Sequence, residues 1–120
     1  MENLFSKKQK FFYENQMVRL ILGNSFDILQ HVKPERVDMI FADPPYFLSN
    51  NGVTCKSGKL VSVNKGDWDK LSEETTTIDK KHEFNRKWIK YCKSILKPNG
   101  SIWISGTMHN IYSIGMALEQ

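Results

Sequence analysis

Long apolar runs are missing from this chain, and so are paired cysteines, clustered histidines and closely spaced glycines. Its longest apolar stretches fall far short of the roughly 20 residues that a membrane helix needs. No basic-then-apolar leader opens it. Those two absences lead us to expect a cytoplasmic protein with no membrane partner. Cys55 and Cys92 stand alone without a CxxC, and His31, His82 and His109 are scattered. A disulfide framework and a zinc site are therefore not expected, and both thiols are read as reduced. With 120 residues there is room for one domain or part of one. A hydrophobic share of 40% and a charged share of 25% are ordinary for a globular chain. The net charge of +4 suits a polyanionic partner without deciding for one.

What is present is organised around residues 37–46. Val37, Met39, Ile40 and Phe41 form a short apolar run, the pattern of a strand covered on both faces. Pro44 and Pro45 then forbid further ladder pairing and push Asp43 into an extended conformation. A carboxylate and the exposed ring of Tyr46 are thereby placed at the carboxyl end of a strand, where open α/β sheets bind ligands.

Before this stretch, residues 1–17 form a basic amino-terminal arm. Lys7, Lys8 and Lys10 lie beside Phe5, Phe11, Phe12 and Tyr13. Either the arm frays, or its cations meet phosphate while its aromatics dock on the domain. Val18–Leu22 reads as the first strand. Gly23 and Asn24 break it, and Ser25 is an N-cap candidate for a helix burying Phe26, Ile28, Leu29 and Val32. Strand, helix, strand in that order implies a right-handed parallel crossover. From Phe47 to Thr77 the chain turns hydrophilic, which marks a functional loop or disorder. Leu60–Val63 can add a hairpin strand, while Lys56, Lys59, Lys65 and Lys70 offer cations for DNA phosphates. Trp68 is read as tucked into the core.

Helical spacing returns over 81–96 with Phe84, Trp88, Tyr91, Ile95 and Leu96 in one stripe and Lys87, Lys90 and Lys93 outward. Residues 97–100 stop that helix, with Gly100 available for positive φ. A strand over 101–105 follows, and then a helix from about Asn110 carrying Ile111, Ile114, Met116 and Leu118. The alternation predicts an α/β, doubly wound layer.

Asp43-Pro44-Pro45-Tyr46 after a hydrophobic strand matches the catalytic motif of the amino-methyltransferases of DNA. With Gly23-Asn24 and the stretches 40–47, 66–70, 96–106 and 109–115, the chain resembles the amino-terminal part of a β-group DNA adenine-N6 methyltransferase. The likeness is greatest to the accessory adenine methyltransferases of GATC restriction–modification systems. That resemblance implies a partial, Rossmann-like S-adenosylmethionine-dependent methyltransferase fold over 18–120, incomplete at its carboxyl end. It also implies DNA as partner, GATC as target, a bacterial cytoplasm and a homodimer in the full-length form. Family members continue into a Phe-x-Gly-x-Gly turn that grips the methyl donor, and these 120 residues do not contain it. The chain by itself is not expected to methylate.

The resemblance assigns catalysis to Asp43, Pro44, Pro45 and Tyr46, and donor contacts to Asn24 and Asp43. Tyr46 and Phe47 become the target-base pocket. Asn24 stands where the family usually has Asp, and it also reads as a residue that starts a helix. The implied chemistry is a direct transfer. The Asp43 carboxylate and the Pro44 carbonyl accept the two amine hydrogens of an extruded adenine and free its lone pair. Two other readings stay open: transfer to a different amine, cytosine N4 first, or a non-catalytic DNA-binding fragment.

Overall fold

The computed structural model describes residues 3–48, 53–62, 64, 66–69 and 77–120. Strands β1 (Tyr13–Glu14) and β2 (Arg19–Leu20) precede helix α1 (Ser25–Leu29) and strand β3 (Val37–Ala42). Strands β4 (Val53–Lys56) and β5 (Lys59–Ser62) follow, with a short 3-10 turn at Asp67–Asp69. Helix α2 (Ile78–Ile95), strand β6 (Leu96–Ile104) and helix α3 (Met108–Glu119) complete a mixed α/β chain. Its strands pair two by two, β1 with β2, β3 with β6 and β4 with β5. Two compact units result: Met1–Ile40 with Trp88–Trp103, and Phe41–Lys87 with Ile104–Gln120.

In the first unit the expected strand at Val18–Leu22 shrinks to two residues. It pairs antiparallel with β1 and does not form a parallel crossover partner of β3. A local turn wins. The Asn15 side chain accepts the backbone N–H groups of Met17 and Val18 at 2.8 and 2.7 Å, and Arg19 meets Glu14 across the hairpin at 2.7 Å. The arm docks through its aromatics: Phe5 is buried and bridges Val32, its ring tilted against Phe11. Ser6 N–H donates to His31 O, and Lys33 N–H to Leu4 O.

Helix α1 is capped by Asn24, not by Ser25, because the Asn24 Oδ1 accepts Phe26 N–H at 2.9 Å. Its inner face is only half-buried, with Phe26 edge-on to Tyr91. The carboxyl-terminal half of α2 buries Trp88, Ile89, Cys92 and Ile95, while Lys90 and Lys93 point out as expected. Strand β6 starts directly at Leu96, so residues 97–100 are strand rather than turn. Gly100 does not adopt positive φ. It is needed for close approach: a Cβ there would lie 2.8 Å from Leu96 Cδ2, 3.0 Å from Lys97 O and 3.2 Å from Asp38 O.

Strand β3 is not covered on both faces. Met39 is 60% exposed and Phe41 71%, alternating with half-buried Ile40 and Ala42. Trp103 on β6 is 64% exposed in the same alternating fashion. Among the described residues β6 is the sole strand neighbour of β3, and the face of β3 that carries Met39 and Phe41 lacks cover.

In the second unit β4 and β5 form the anticipated hairpin. Ser57 and Gly58, at φ 51 and 76, make the two-residue turn with positive φ that suits the twist of paired strands. Helix α2 starts at Ile78, where Thr77 Oγ1 accepts Lys80 N–H. Helix α3 buries Asn110, Ile114 and Ala117, spaced by four and three. Of the predicted stripe only Ile114 is buried, whereas Ile111, Met116 and Leu118 are at least half exposed. Burial of Asn110 turns the helix. Its Oδ1 accepts Asn85 Nδ2 at 2.7 Å, and Asn85 also donates to Ser113 Oγ at 3.0 Å.

Candidate active site

Asp43 follows the last residue of β3, and Ser105 follows the last residue of β6. Ser105 N–H donates to Ala42 O at 2.9 Å, which brings the two strand ends together within the second unit. With Pro44 and Pro45 next in the chain, the backbone leaves the ladder at Asp43. Its carboxylate is exposed.

Two hydroxyls hold that carboxylate. Tyr46 Oη donates to Asp43 Oδ1 at 2.5 Å, and Ser105 Oγ donates to the same oxygen. The two hydroxyl oxygens lie 3.0 Å apart. Each hydroxyl carries one proton, so the arrangement that satisfies the carboxylate aims both at Oδ1. Tyr46 was expected to be exposed. It is half-buried, because its phenol end is drawn to Asp43 and Ser105.

The backbone after the prolines is held from below. Asp69, fully buried, accepts the N–H of Tyr46 at 3.0 Å and the N–H of Phe47 at 2.9 Å, both at Oδ1. Phe47 sits at φ 56, a left-handed conformation that costs a bulky L-residue roughly 1–2 kcal/mol. Bonds from a buried carboxylate to two successive N–H groups offset that strain. The Phe47 ring, anticipated as a pocket wall, is buried edge-on against Phe84 at 5.4 Å, with Lys81 Nζ 5.8 Å from its centroid. Asn110 Nδ2 reaches Pro45 O at 3.5 Å.

The structure thus gathers Asp43, Pro44, Pro45, Tyr46 and Phe47 with Ser105, Asp69 and Asn110. The last three carried no role in the sequence analysis. In the sequence Asp69 is simply an acid next to Trp68 in a polar stretch, and Ser105 a polar residue after the apolar Ile102-Trp103-Ile104, signals too ordinary to mark either one. Asn24 belongs to the first unit, where its side chain is spent on the α1 cap. Lys56 and Lys59 are exposed and directly opposite one another at the hairpin turn. Lys65, Lys70 and the side chain of Trp68 lie outside the described residues. Among the described residues no group of acids, cysteines and histidines is arranged to hold a metal, and no helix is long and apolar enough to cross a membrane.

Residues 37–120 match a family model described as DNA methylase. Among curated proteins, the chain is 57% identical over 110 residues to the Type II methyltransferase M2.DpnII of Streptococcus pneumoniae, covering 92% of this chain and 39% of that protein. It is 56% identical over 111 residues to M2.LlaDCHI of Lactococcus lactis subsp. cremoris, covering 92% and 40%. A third Type II methyltransferase, M2.MboI of Moraxella bovis, is 44% identical over 113 residues, covering 94% and 40%. The chain spans about two fifths of the length of these relatives.

Proposed function

We propose, from the premise that this chain belongs to the DNA methylase family, that its second unit presents the target-base end of a methyl transfer to adenine N6 in DNA. The observation that carries the reading is an exposed Asp43 carboxylate fixed at a strand end beside the Tyr46 ring. An exocyclic amine is a poor nucleophile because its lone pair is delocalised into the ring. The Asp43 carboxylate and the Pro44 carbonyl accept its two hydrogens and localise that pair. The acceptors are set before the base arrives, so little reorganisation accompanies the step. Tyr46 stacks on the base, which must leave its duplex to reach the turn. Phe47, buried on Phe84, backs the pocket from behind the turn.

S-adenosylmethionine is the donor this chemistry needs, supplying an electrophilic methyl on a sulfonium when bound. Asp43 suits it as an exposed anion near a cation, and Asn24 as the amide that meets the adenine edge. With Asn24 Oδ1 committed to Phe26 N–H, the amide contributes as a donor through Nδ2. The doubly wound arrangement is the fold in which a strand end of this kind forms a ligand crevice.

DNA is the partner, in a restriction–modification setting with GATC as the first target to assay, and the complete protein acts as a homodimer. Lys56 and Lys59 contact phosphate. Like charges directly opposite on a hairpin repel, and an anion seated over them relieves that repulsion. Lys65 and Lys70, further along the sequence, are additional candidates for phosphate contact.

The test is Asp43→Ala in the intact protein that carries this chain, with nucleoside analysis of the product. N6-methyladenine from the parent, its loss in the variant and retained DNA binding support the reading. N4-methylcytosine, or undiminished turnover in the variant, overturns it.

A further inference from the structure

We infer that Asp69 is a positioning residue of the methyl-transfer site, acting through the backbone of Tyr46 and Phe47. This inference rests on the reading above. The carboxylate is fully buried, 22 residues downstream of the turn it serves, and one of its oxygens takes both successive N–H groups. A buried carboxylate is retained at a cost unless it is satisfied by donors, and here two of the donors are the backbone of the catalytic turn.

The conformation it holds is one the chain would not adopt unaided. Phe47 at φ 56 is left-handed without being glycine or asparagine. Released from Asp69, Phe47 relaxes toward negative φ and swings its own ring out of the contact with Phe84. The same rotation tilts the peptide that joins it to Tyr46. The Tyr46 ring then loses its angle, and its hydroxyl loses Asp43 and Ser105. The 3-10 turn at Asp67–Asp69 sets the carboxylate, with Asp69 N–H bonded to Gly66 O at 3.2 Å. Gly66 itself stands at φ 131, open to glycine and strained for other residues. The polar loop therefore does more than offer cations to DNA: its 66–69 segment sets the shape of the base pocket.

Asp69→Ala and Asp69→Asn are compared in the intact protein, with Asp43→Ala run alongside. Asp69→Ala is expected to lower kcat about a hundredfold while the KM for S-adenosylmethionine changes less than threefold. The fluorescence gain of 2-aminopurine at the target position falls with it. Asp69→Asn keeps an acceptor oxygen for both N–H groups and recovers at least tenfold of the loss. Wild-type kcat in Asp69→Ala, or equal losses in the two variants, overturns the positioning role. If Asp69→Ala does not fold, amide hydrogen exchange decides. In the unsubstituted intact protein the Tyr46 and Phe47 amides must exchange at least a hundredfold more slowly than unstructured amides, and free exchange there overturns the clamp. Undiminished turnover in Asp43→Ala would sink the methylation reading alone, since the exchange measurement still judges Asp69.

Discussion

The hydroxyl of Tyr46 lies 2.5 Å from Asp43 Oδ1, three residues back in the chain, so the acid and the ring of the site restrain each other. Ser105, 62 residues from Asp43 in sequence, completes the triangle. Under the proposed function the ring of Tyr46 serves the base, while its hydroxyl is held on the carboxylate, so the two are separable by substitution.

Tyr46→Phe keeps the ring and removes the hydroxyl, and it is expected to cost less than tenfold in kcat. Tyr46→Ala removes the stacking surface as well. Base–aromatic stacking contributes about 1–3 kcal/mol, so a loss of roughly 5- to 150-fold in target-base binding is expected. Steady-state kinetics with 2-aminopurine as the flipped-base reporter separates the two. Equal losses in both variants would mean that the ring does not stack.

Substituting Lys56 and Lys59 together with Gln tests the hairpin. Each phosphate contact contributes about 0.9 to the slope of log K against log salt on duplex DNA, so the double variant should flatten the slope by about 1.8. Titrations at several salt concentrations read this directly, and an unaltered slope would remove both lysines from the DNA surface.

Gly100→Ala places a methyl group 3.0 Å from Lys97 O and 3.2 Å from Asp38 O, backbone atoms that cannot move aside like a side-chain tip. A destabilisation of about 1–3 kcal/mol is expected, as for other overpacking substitutions. Urea unfolding of the 120-residue chain checks it. A midpoint at the wild-type value would show that β6 shifts freely.

The two thiols should differ. Cys55 is exposed and Cys92 buried, and burial pushes the Cys92 thiol up to about 11. Cys55 should react with a thiol reagent at pH 8 and Cys92 only after unfolding. A thiol whose folded pKa is raised keeps its proton in the fold after the unfolded chain has lost its own. Cys92 thus adds no pH dependence below its ordinary range, and stability falls as pH climbs from there toward about 11. Replacement by Ala should remove that decline; its persistence would assign it to another group.

Local sequence signals foretold the motif, the hairpin and the outward lysines of α2, because periodicity and proline geometry act over a few residues. Less local features escaped. Asn15 closes a tight hairpin that overrides the strand propensity of 18–22. The satisfied Asn85–Asn110 pair turns α3 away from its most apolar face. Asp69 and Ser105 converge on the motif from 23 and 59 residues beyond Tyr46. Nothing in a one-dimensional pattern distinguishes these two from ordinary polar residues, since their roles exist only once the strand ends meet.

Ser105 joins backbone and chemistry in a single residue: its amide bonds Ala42 as its hydroxyl grips Asp43. Adding or deleting one codon within β6 would bring Ile104 or Gly106 to the carboxylate, with no hydroxyl on either. Insertions that the surface hairpin could absorb at Ser57-Gly58 would here disarm the acid and turn the strand residues on one side of the insertion to the opposite face. Length polymorphism among natural variants should accordingly be found in the hairpin and be purged from the strand.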